Sequence, residues 1–372
     1  MSSNRYDINE LAGSFGDIGT LIPFVVGYVV ILHMNPVGIL LAFGLSKIIS
    51  GLYYRTPIPV QPMKALGGFA IGHPNMVDRR MVLASGLIIG ITWFTLGASR
   101  AVEILSKLAA KPVVRGIMLG LGLTFAEMGL SRMSTDIPLA ILGVGVAMLL
   151  FGTRFPAMFA ILLLGIAVAI IKNPQLPEML SKGLAFKLPT VSLSFLSWTA
   201  LSKGFFLLVL AQLPLTLGNA IIAITHENNQ LFPDRPVTER KISISTGIMN
   251  IIAPFMGGVP MCHGAGGMAG HVRFGARTGG SIVIIGSLVA LLGLFGGAST
   301  LLLLKAFPTA IIGIILFFAG IELSITARDI GSEKKDFYLM ILVAAIAMWN
   351  MGVAYIAGVI LNEFTRRGWV KI

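Results

Sequence analysis

Apolar stretches follow one another from residue 11 to residue 364, and the clusters between them hold most of the charge. A helix needs roughly 20 such residues to cross the hydrocarbon core of a bilayer. The pattern predicts fourteen spans in two groups of seven: 11–33, 36–53, 57–72, 81–98, 112–131, 137–151 and 155–171, then 201–225, 237–253, 257–270, 278–295, 308–324, 337–350 and 353–364. Between the groups, residues 173–197 carry Pro and Ser without a sustained apolar core and are expected to form a connecting loop. The expected fold is an all-α polytopic membrane protein, with a first repeat over residues 1–197 and a second over 198–372.

Two spans are too short and too broken by Gly and Pro to be complete helices: PIPVQPMKALGGFAIG at 57–72 and GGVPMCHGAGGMAG at 257–270. Each begins with a proline-bearing extended piece and runs into small residues able to open a half-helix. Pro62 and Pro260 stand 198 residues apart, and three further pairs recur at similar offsets: Pro112 and Pro308 at 196, Glu127 and Glu322 at 195, Pro23 and Pro214 at 191. Two homologous halves with an odd number of spans face opposite ways, which is the inverted repeat of many secondary transporters.

Composition narrows the class. Of 372 residues, 55% are hydrophobic and 12% charged, with a mean hydropathy of +0.87, whereas soluble domains carry about 25% charged residues. Fourteen spans are expected to leave no room for a soluble regulatory domain. The 28 Lys and Arg against 16 Asp and Glu give a net charge of +12, which in a soluble chain would suggest nucleic acid. Here the excess follows topology. With the N-terminus inside, eighteen basic residues fall in cytoplasmic segments, Arg100, Lys107, Arg154 and Lys371 among them, and six fall outside: Arg79, Arg80, Arg132, Lys172, Lys182 and Lys187. Lys47, Lys64, Lys203 and Lys305 lie within spans or at their edges. This asymmetry obeys the positive-inside rule and places both termini in the cytoplasm of a multi-pass protein of the cell (inner) membrane. The single Cys262 excludes an internal disulfide and a Cys-based metal cluster, no cleavable signal peptide is expected, and no P-loop offers ATP drive. No metal, cofactor or catalytic residue is expected; a membrane-embedded enzyme would need a nucleophile and base that the sequence does not offer.

Candidate chemistry gathers at the broken segments, because irregular backbone at membrane depth must be satisfied by protein or water. If half-helices open at Pro62-Met63-Lys64-Ala65 and at Cys262-His263-Gly264-Ala265-Gly266 and meet near the midplane, their free N–H groups and positive dipole ends form an anion site. Gly264 and Gly266 would let a ligand approach the backbone, whereas Gly270 reads as helix packing. Lys64 either neutralises part of a dianion or pairs with Asp17. Asp17, within GSFGDIGT of the first span, is a proton or cation coupler, the counter-charge of Lys64, or part of a solvated helix end. In AQLPLTLGNA of the eighth span, Gln212, Thr216 and Asn219 share a face at spacings of 4 and 3, suited either to oxyanion oxygens or to joining helices. His263 lacks the partners of a zinc site.

The segments ELAGSFGDIGTLIPFVVGY (10–28), PIPVQPMKAL (57–66) and GGVPMCHGAGGMAGHVRFGARTG (257–279) resemble the molybdate-transporter family, a branch related to the sulfate permeases, and the resemblance extends over nearly the whole chain. It implies a core domain of spans 1–4 and 8–11, a gate domain of spans 5–7 and 12–14, and secondary active uptake of molybdate by alternating access. It also implies substrate held between the half-helices of spans 3 and 10 and lined by spans 1 and 8. The substrate-binding candidates are then Asp17 and Thr20; Gln61, Met63, Lys64 and Ala65; Gln212, Thr216 and Asn219; and Cys262, His263, Gly264, Ala265 and Gly266. Sulfate and tungstate are the alternative substrates. Nucleobase permeases of similar fold place acidic residues in spans 8 and 10, where this chain has none. Many sulfate permeases carry an Arg in the tenth-span half-helix and a C-terminal cytoplasmic domain. Here GAGGMAG leaves the positive charge to Lys64, His263 and the helix ends, and eight residues follow Phe364. The partners considered are the oxyanion, the lipid bilayer, a coupling proton or sodium ion and a second copy in a homodimer; no nucleic acid is expected.

The charge asymmetry sets the topology independently of any family. Cysteines introduced at Ser332 or Gly368 are expected to react with an impermeant thiol reagent only from the cytoplasm, and one at Ser181 only from outside. Labelling of Ser332 and Ser181 positions from the same face would show that the number of spans between them has the wrong parity.

Overall fold

The computed structural model describes the chain apart from residues 1–2, 100, 103–109, 152, 154–156, 191–192, 194 and 370–372, and apart from the side chains of residues 19, 323, 326, 351 and 352. Arg100, Lys107, Arg154, Lys371 and the start of the predicted span 155–171 lie outside the described residues. The first predicted span is two helices, α1 (Ile8–Ser14) and α2 (Ile18–Val26), the latter running on through a π-helical turn at Gly27–Ile31 beyond Pro23. Then come α3 (Pro36–Tyr54), opened by the Asn35 side chain with Pro36 in its first turn, strand β1 (Gln61–Pro62), and the short α4 (Lys64–Gly72). α5 (Arg79–Ala98) is capped by Asp78; α6 (Lys111–Met133), α7 (Ile137–Leu150) and α8 (Ala157–Lys172) follow.

The expected connecting loop contains a helix, α9 (Leu176–Lys182), because Pro177 suits a first turn and Gly183 an end. Beyond it the chain lies on a later helix, with the N–H groups of Ala185 and Lys187 donating to the carbonyls of Phe295 (3.0 Å) and Leu294 (2.8 Å). α10 (Trp198–Leu231) is continuous but carries π-helical turns at Phe205–Val209 and Thr216–Ile222 on either side of Pro214, which supplies no N–H to the ladder. The remaining elements are α11 (Glu239–Ile252), β2 (Met261–Cys262), α12 (Ala265–Arg273), α13 (Gly280–Ala306), α14 (Thr309–Ile325), α15 (Lys334–Trp349) and α16 (Met351–Arg366). α13 runs on to Ala306, past the predicted end at 295.

Among the described residues, α3, α5, α6, α10, α13 and α14 with its extension to Asp329 are each long and apolar enough to cross a bilayer. α8 and α9, bent by 108°, form a seventh such span if taken together. The molecule is a mostly helical polytopic membrane protein. α3 packs along α13 and α5 along α11; separately, α6 packs along α14 and α15, with α16 against α15 and α6.

Two polar residues hold the broken region. β1 and β2 pair antiparallel, Gln61 opposite Cys262 and Pro62 opposite Met261, and the Met63 N–H donates to the Pro260 carbonyl at 3.0 Å. A strand beside proline leaves backbone groups unpaired, and buried Asn250 of α11 takes them up. It accepts from the Met261 N–H (2.9 Å) and donates to the Met261 carbonyl (2.6 Å). Glu10 of α1, also buried, caps the entry to α13 by accepting from the N–H groups of Arg277 (2.9 Å), Thr278 (2.8 Å) and Ser281 (3.0 Å). A carboxylate there is favoured by the helix dipole as well.

Replacing Asn250 by Leu fills the space but abandons the N–H and the carbonyl of Met261. The expected loss is on the order of 2–4 kcal/mol, read as a lower unfolding midpoint of the purified protein in detergent. An unchanged midpoint would show that the strand does not depend on this side chain.

Candidate functional site

The strand pair sets the first turns of α4 and α12 beside one another. Neither N-cap residue, Met63 or Gly264, supplies a side-chain cap. In α4 the Leu66 N–H donates to Gln212 Oε1 (2.9 Å) and the Gly67 N–H to the Met63 carbonyl (2.9 Å); in α12 the Gly267 N–H donates to the Gly264 carbonyl (3.0 Å). The N–H groups of Lys64 and Ala65, and of Ala265 and Gly266, come too early in their helices for an intrahelical acceptor. Four oriented donors at two positive helix ends are suited to an anion.

The side chains sort by what already occupies them. Gln61 is buried against α12: a Cβ added at Gly264 would overlap its Oε1, and one at Gly267 would come 2.5 Å from its Nε2. Its Oε1 has no hydrogen-bond partner. Asn219, half-buried in the second π turn of α10, makes no hydrogen bond among the described residues, and its Nδ2 lies 3.7 Å from where a Gly264 Cβ would stand. Gly266 is exposed, and an added Cβ there would meet nothing within 4 Å. Lys64 and Thr20 are half-buried; Lys64 makes no ion pair among the described residues, though Glu322 of α14 acts on it electrostatically.

Gln212 spends both ends of its amide on protein, since its Nε2 donates to Thr216 Oγ1 at 2.9 Å. It fixes α4 against α10. Met63, Ala65 and Cys262 are buried. The imidazole of His263 turns away from the α12 tip: Nδ1 donates to the Pro59 carbonyl (2.9 Å), Nε2 accepts from Ser245 (2.8 Å), and the ring stands edge-on to Tyr54 with centroids 5.6 Å apart. It lies at the base of a groove of about 360 Å³ between α3 and α11, walled by Ile49, Tyr53, Ile248 and Ile252. That groove is almost wholly apolar, so a dianion would lose its hydration there without replacement.

Asp17 does not pair with Lys64. Its Oδ2 takes the ammonium of Lys47, from the middle of α3, at 2.5 Å, and His271 Nε2 of α12 lies 3.6 Å away. All three are buried, which also removes the solvated-terminus reading. The cause is the break between α1 and α2. Gly16 sits so close to α12 that a Cβ would overlap the backbone of Gly270 and His271, and the break turns Asp17 inward at the last turn of that helix. Three groups were not among the sequence candidates. Lys47 carried a usable signal, being a cation inside a span; His271 and the buried, unpartnered hydroxyl of Tyr28 beside Gly67 had none.

The sequence model of the family described as "Molybdate transporter of MFS superfamily" matches residues 9–125 and 204–323. The chain is 30% identical to Molybdate transporter 2 of Arabidopsis thaliana, over 93% of this chain and 84% of that protein. It is 28% identical to Molybdate transporter 1 of Chlamydomonas reinhardtii, over 95% and 90%. Among solved structures, the transmembrane domain of the cyanobacterial bicarbonate transporter BicA superposes with a TM-score of 0.68 at 16% identity, covering 93% of this chain and 96% of that one. The inward-facing murine anion transporter Slc26a9 gives 0.71 at 11% identity, covering 100% and 70%. These two likenesses show the fold.

Breaking a buried ion pair leaves one charge without compensation. Asp17→Asn is expected to cost on the order of 3–5 kcal/mol, and adding Lys47→Met should recover most of it. Unfolding midpoints of the single and double variants check this; a double variant no better than Asp17→Asn would mean that the two charges are not coupled.

Proposed function

The chain belongs to the molybdate transporter family, and from that premise we propose that it is a secondary active transporter that moves molybdate across the cell membrane by alternating access. The observation that carries the reading is the pair of uncapped first turns, α4 and α12, with open space at Gly266 between donors and no side chain to fill it. A tetrahedral dianion supplies acceptors in several directions at once, which suits donors arriving from two helices.

In this reading the backbone of Lys64, Ala65, Ala265 and Gly266 and the side chains of Lys64, Gln61, Asn219 and Thr20 meet the oxyanion. Gln212 and Thr216 hold α4; Met63, Cys262, His263 and Gly264 shape the wall. The fold is proposed to be a seven-plus-seven inverted repeat of fourteen segments, with α4 and α12 as half-helices. Support comes from corresponding features in the two halves. Pro23 and Pro214 each precede a π-helical turn, each short helix follows a two-residue strand, and the contact of α3 with α13 exchanges into that of α11 with α5. The packing of α6 with α14, α15 and α16 supports a gate separate from the core. Both termini are proposed to lie in the cytoplasm, which the asymmetry of basic residues supports.

Purified protein in liposomes is expected to accumulate molybdate, with molybdate competing better than sulfate or phosphate. Gly266→Val should reduce binding by at least about a hundredfold while leaving the unfolding midpoint unchanged, since the new side chain meets only the oxyanion. Normal molybdate affinity in Gly266→Val would remove the oxyanion from the start of α12. Uptake of uracil without oxyanion competition would remove the transport assignment itself.

A further inference from the structure

We infer that His271 is a proton-binding site whose occupancy is coupled to the oxyanion through α12. The coupling rests on the proposed anion site at the start of that helix; the proton site does not. His271 is fully buried in the last turn of α12. Its Nδ1 lies 2.7 Å from the Gly13 carbonyl oxygen, and because a carbonyl only accepts, Nδ1 carries the hydrogen. The other nitrogen, Nε2, has no hydrogen bond and faces Asp17 Oδ2 at 3.6 Å. In the neutral ring this sets a lone pair against a carboxylate. One added proton converts it into an N–H directed at an ionised oxygen, the charge-assisted form. Asp17 Oδ1 is also buried without a partner, so the carboxylate keeps acceptor capacity after Lys47 has taken Oδ2.

The surroundings favour a proton over a metal cation. The Lys47 ammonium already sits on Asp17, and no group of three His, Cys, Asp or Glu able to hold a metal occurs among the described residues. The ionisable groups on the elements around His271 are Asp17 from the break, Lys47 from α3, Glu10 from α1, His226 and Glu227 near the end of α10, Arg273 on α12 itself, and Arg277 just after it, whose guanidinium donates to the carbonyls of Val272 (2.9 Å) and Ala276 (2.7 Å). Glu10 is engaged by the N–H groups at the start of α13, and His226 and Arg273 are exposed. Among the described residues, Asp17 alone of these is within ion-pair distance of His271.

The link to the oxyanion is the length and polarity of α12. Its nine residues span about 13 Å, with His271 at the negative end of the dipole and the proposed anion at the positive end. The same dipole favours both charges, and opposite charges at the two ends attract one another along the helix. The contact of Gly16 with Gly270, where a Cβ on either would overlap the other backbone, ties the proton end of α12 to the turn that carries Asp17.

Two measurements on the full chain separate the proton site from the transport reading. Without substrate, isotope-labelled histidine NMR, with His271→Gln used to identify the signal, is expected to show the ring keeping its Nδ1 proton and gaining one at Nε2 between about pH 8 and about pH 5.5. In the charge-neutral double variant Asp17→Asn with Lys47→Met, which removes the carboxylate facing Nε2, the second proton should be taken up only at lower pH. With molybdate, calorimetry in buffers of different ionisation heat should register proton uptake on binding in the wild type and none in His271→Gln. Wild-type affinity should rise about tenfold over that range while that of the variant stays flat. A ring that does not titrate, or that titrates alike in the double variant, overturns the proton site. Proton uptake that survives in His271→Gln overturns the coupling. A wild type that binds no oxyanion overturns the transport reading instead, and the NMR titration still decides the proton site.

Discussion

Backbone hydrogen bonding at membrane depth is the constraint on which the rest of the structure depends. A helix satisfies its own N–H and carbonyl groups, but PIPVQP and GGVPMC cannot be helical, since each proline removes a donor and bars the preceding residue from helical geometry. Two such segments far apart in sequence solve the problem by pairing with each other; Asn250 takes up the carbonyl of Met261 in β2, and Ser50 that of Ile58 in the extended piece before β1. The pairing then fixes where α4 and α12 begin. Their unpaired first-turn donors are a by-product of that solution.

The second organising interaction is the buried pair of Asp17 and Lys47. Two charges out of water gain little over apolar residues of the same volume, so the pair is costly to keep as a structural brace. Its neighbours give it another use. Asp17 retains an unpartnered oxygen, and among the described residues the ring of His271, with a free Nε2 able to take a proton, stands 3.6 Å from its carboxylate. The break between α1 and α2, the glycine contact with α12 and the ion pair are therefore parts of a single arrangement that holds an imidazole with one free nitrogen at the end of α12.

Much of this was legible in the order of residues, and the limits follow from what sequence encodes. Hydropathy located the long helices among the described residues, because bilayer thickness imposes length, and the Gly/Pro breaks located α4 and α12. The face shared by Gln212, Thr216 and Asn219 was legible from helical spacing, but its division of labour was not. Gln212 turned out to cap Leu66, a contact 146 residues away in sequence, while Asn219 remains free among the described residues. Lys47 and Lys64 are alike as intramembrane cations, and choosing the partner of Asp17 required knowing that the first span breaks at residues 15–17. The helix within 173–197 escaped notice because its stability comes from Pro177, Gly183 and local pairing rather than from apolar periodicity.

The charge available to a dianion can be weighed without an arginine. Each helix N-terminus carries about half an elementary charge, so in the proposed site the ends of α4 and α12 together with the Lys64 ammonium come to about +2, the magnitude of a dianion's charge. An arginine in the tenth-span segment would exceed that balance and would hold the anion through a bidentate pair that is slow to part. Helix-end donors are fixed by backbone geometry, so they also lose their complementarity when one helix moves relative to the other. A site built from two short helices in a carrier that must release its cargo on the far side can therefore be strong in one arrangement and weak in the next, with no side chain having to let go.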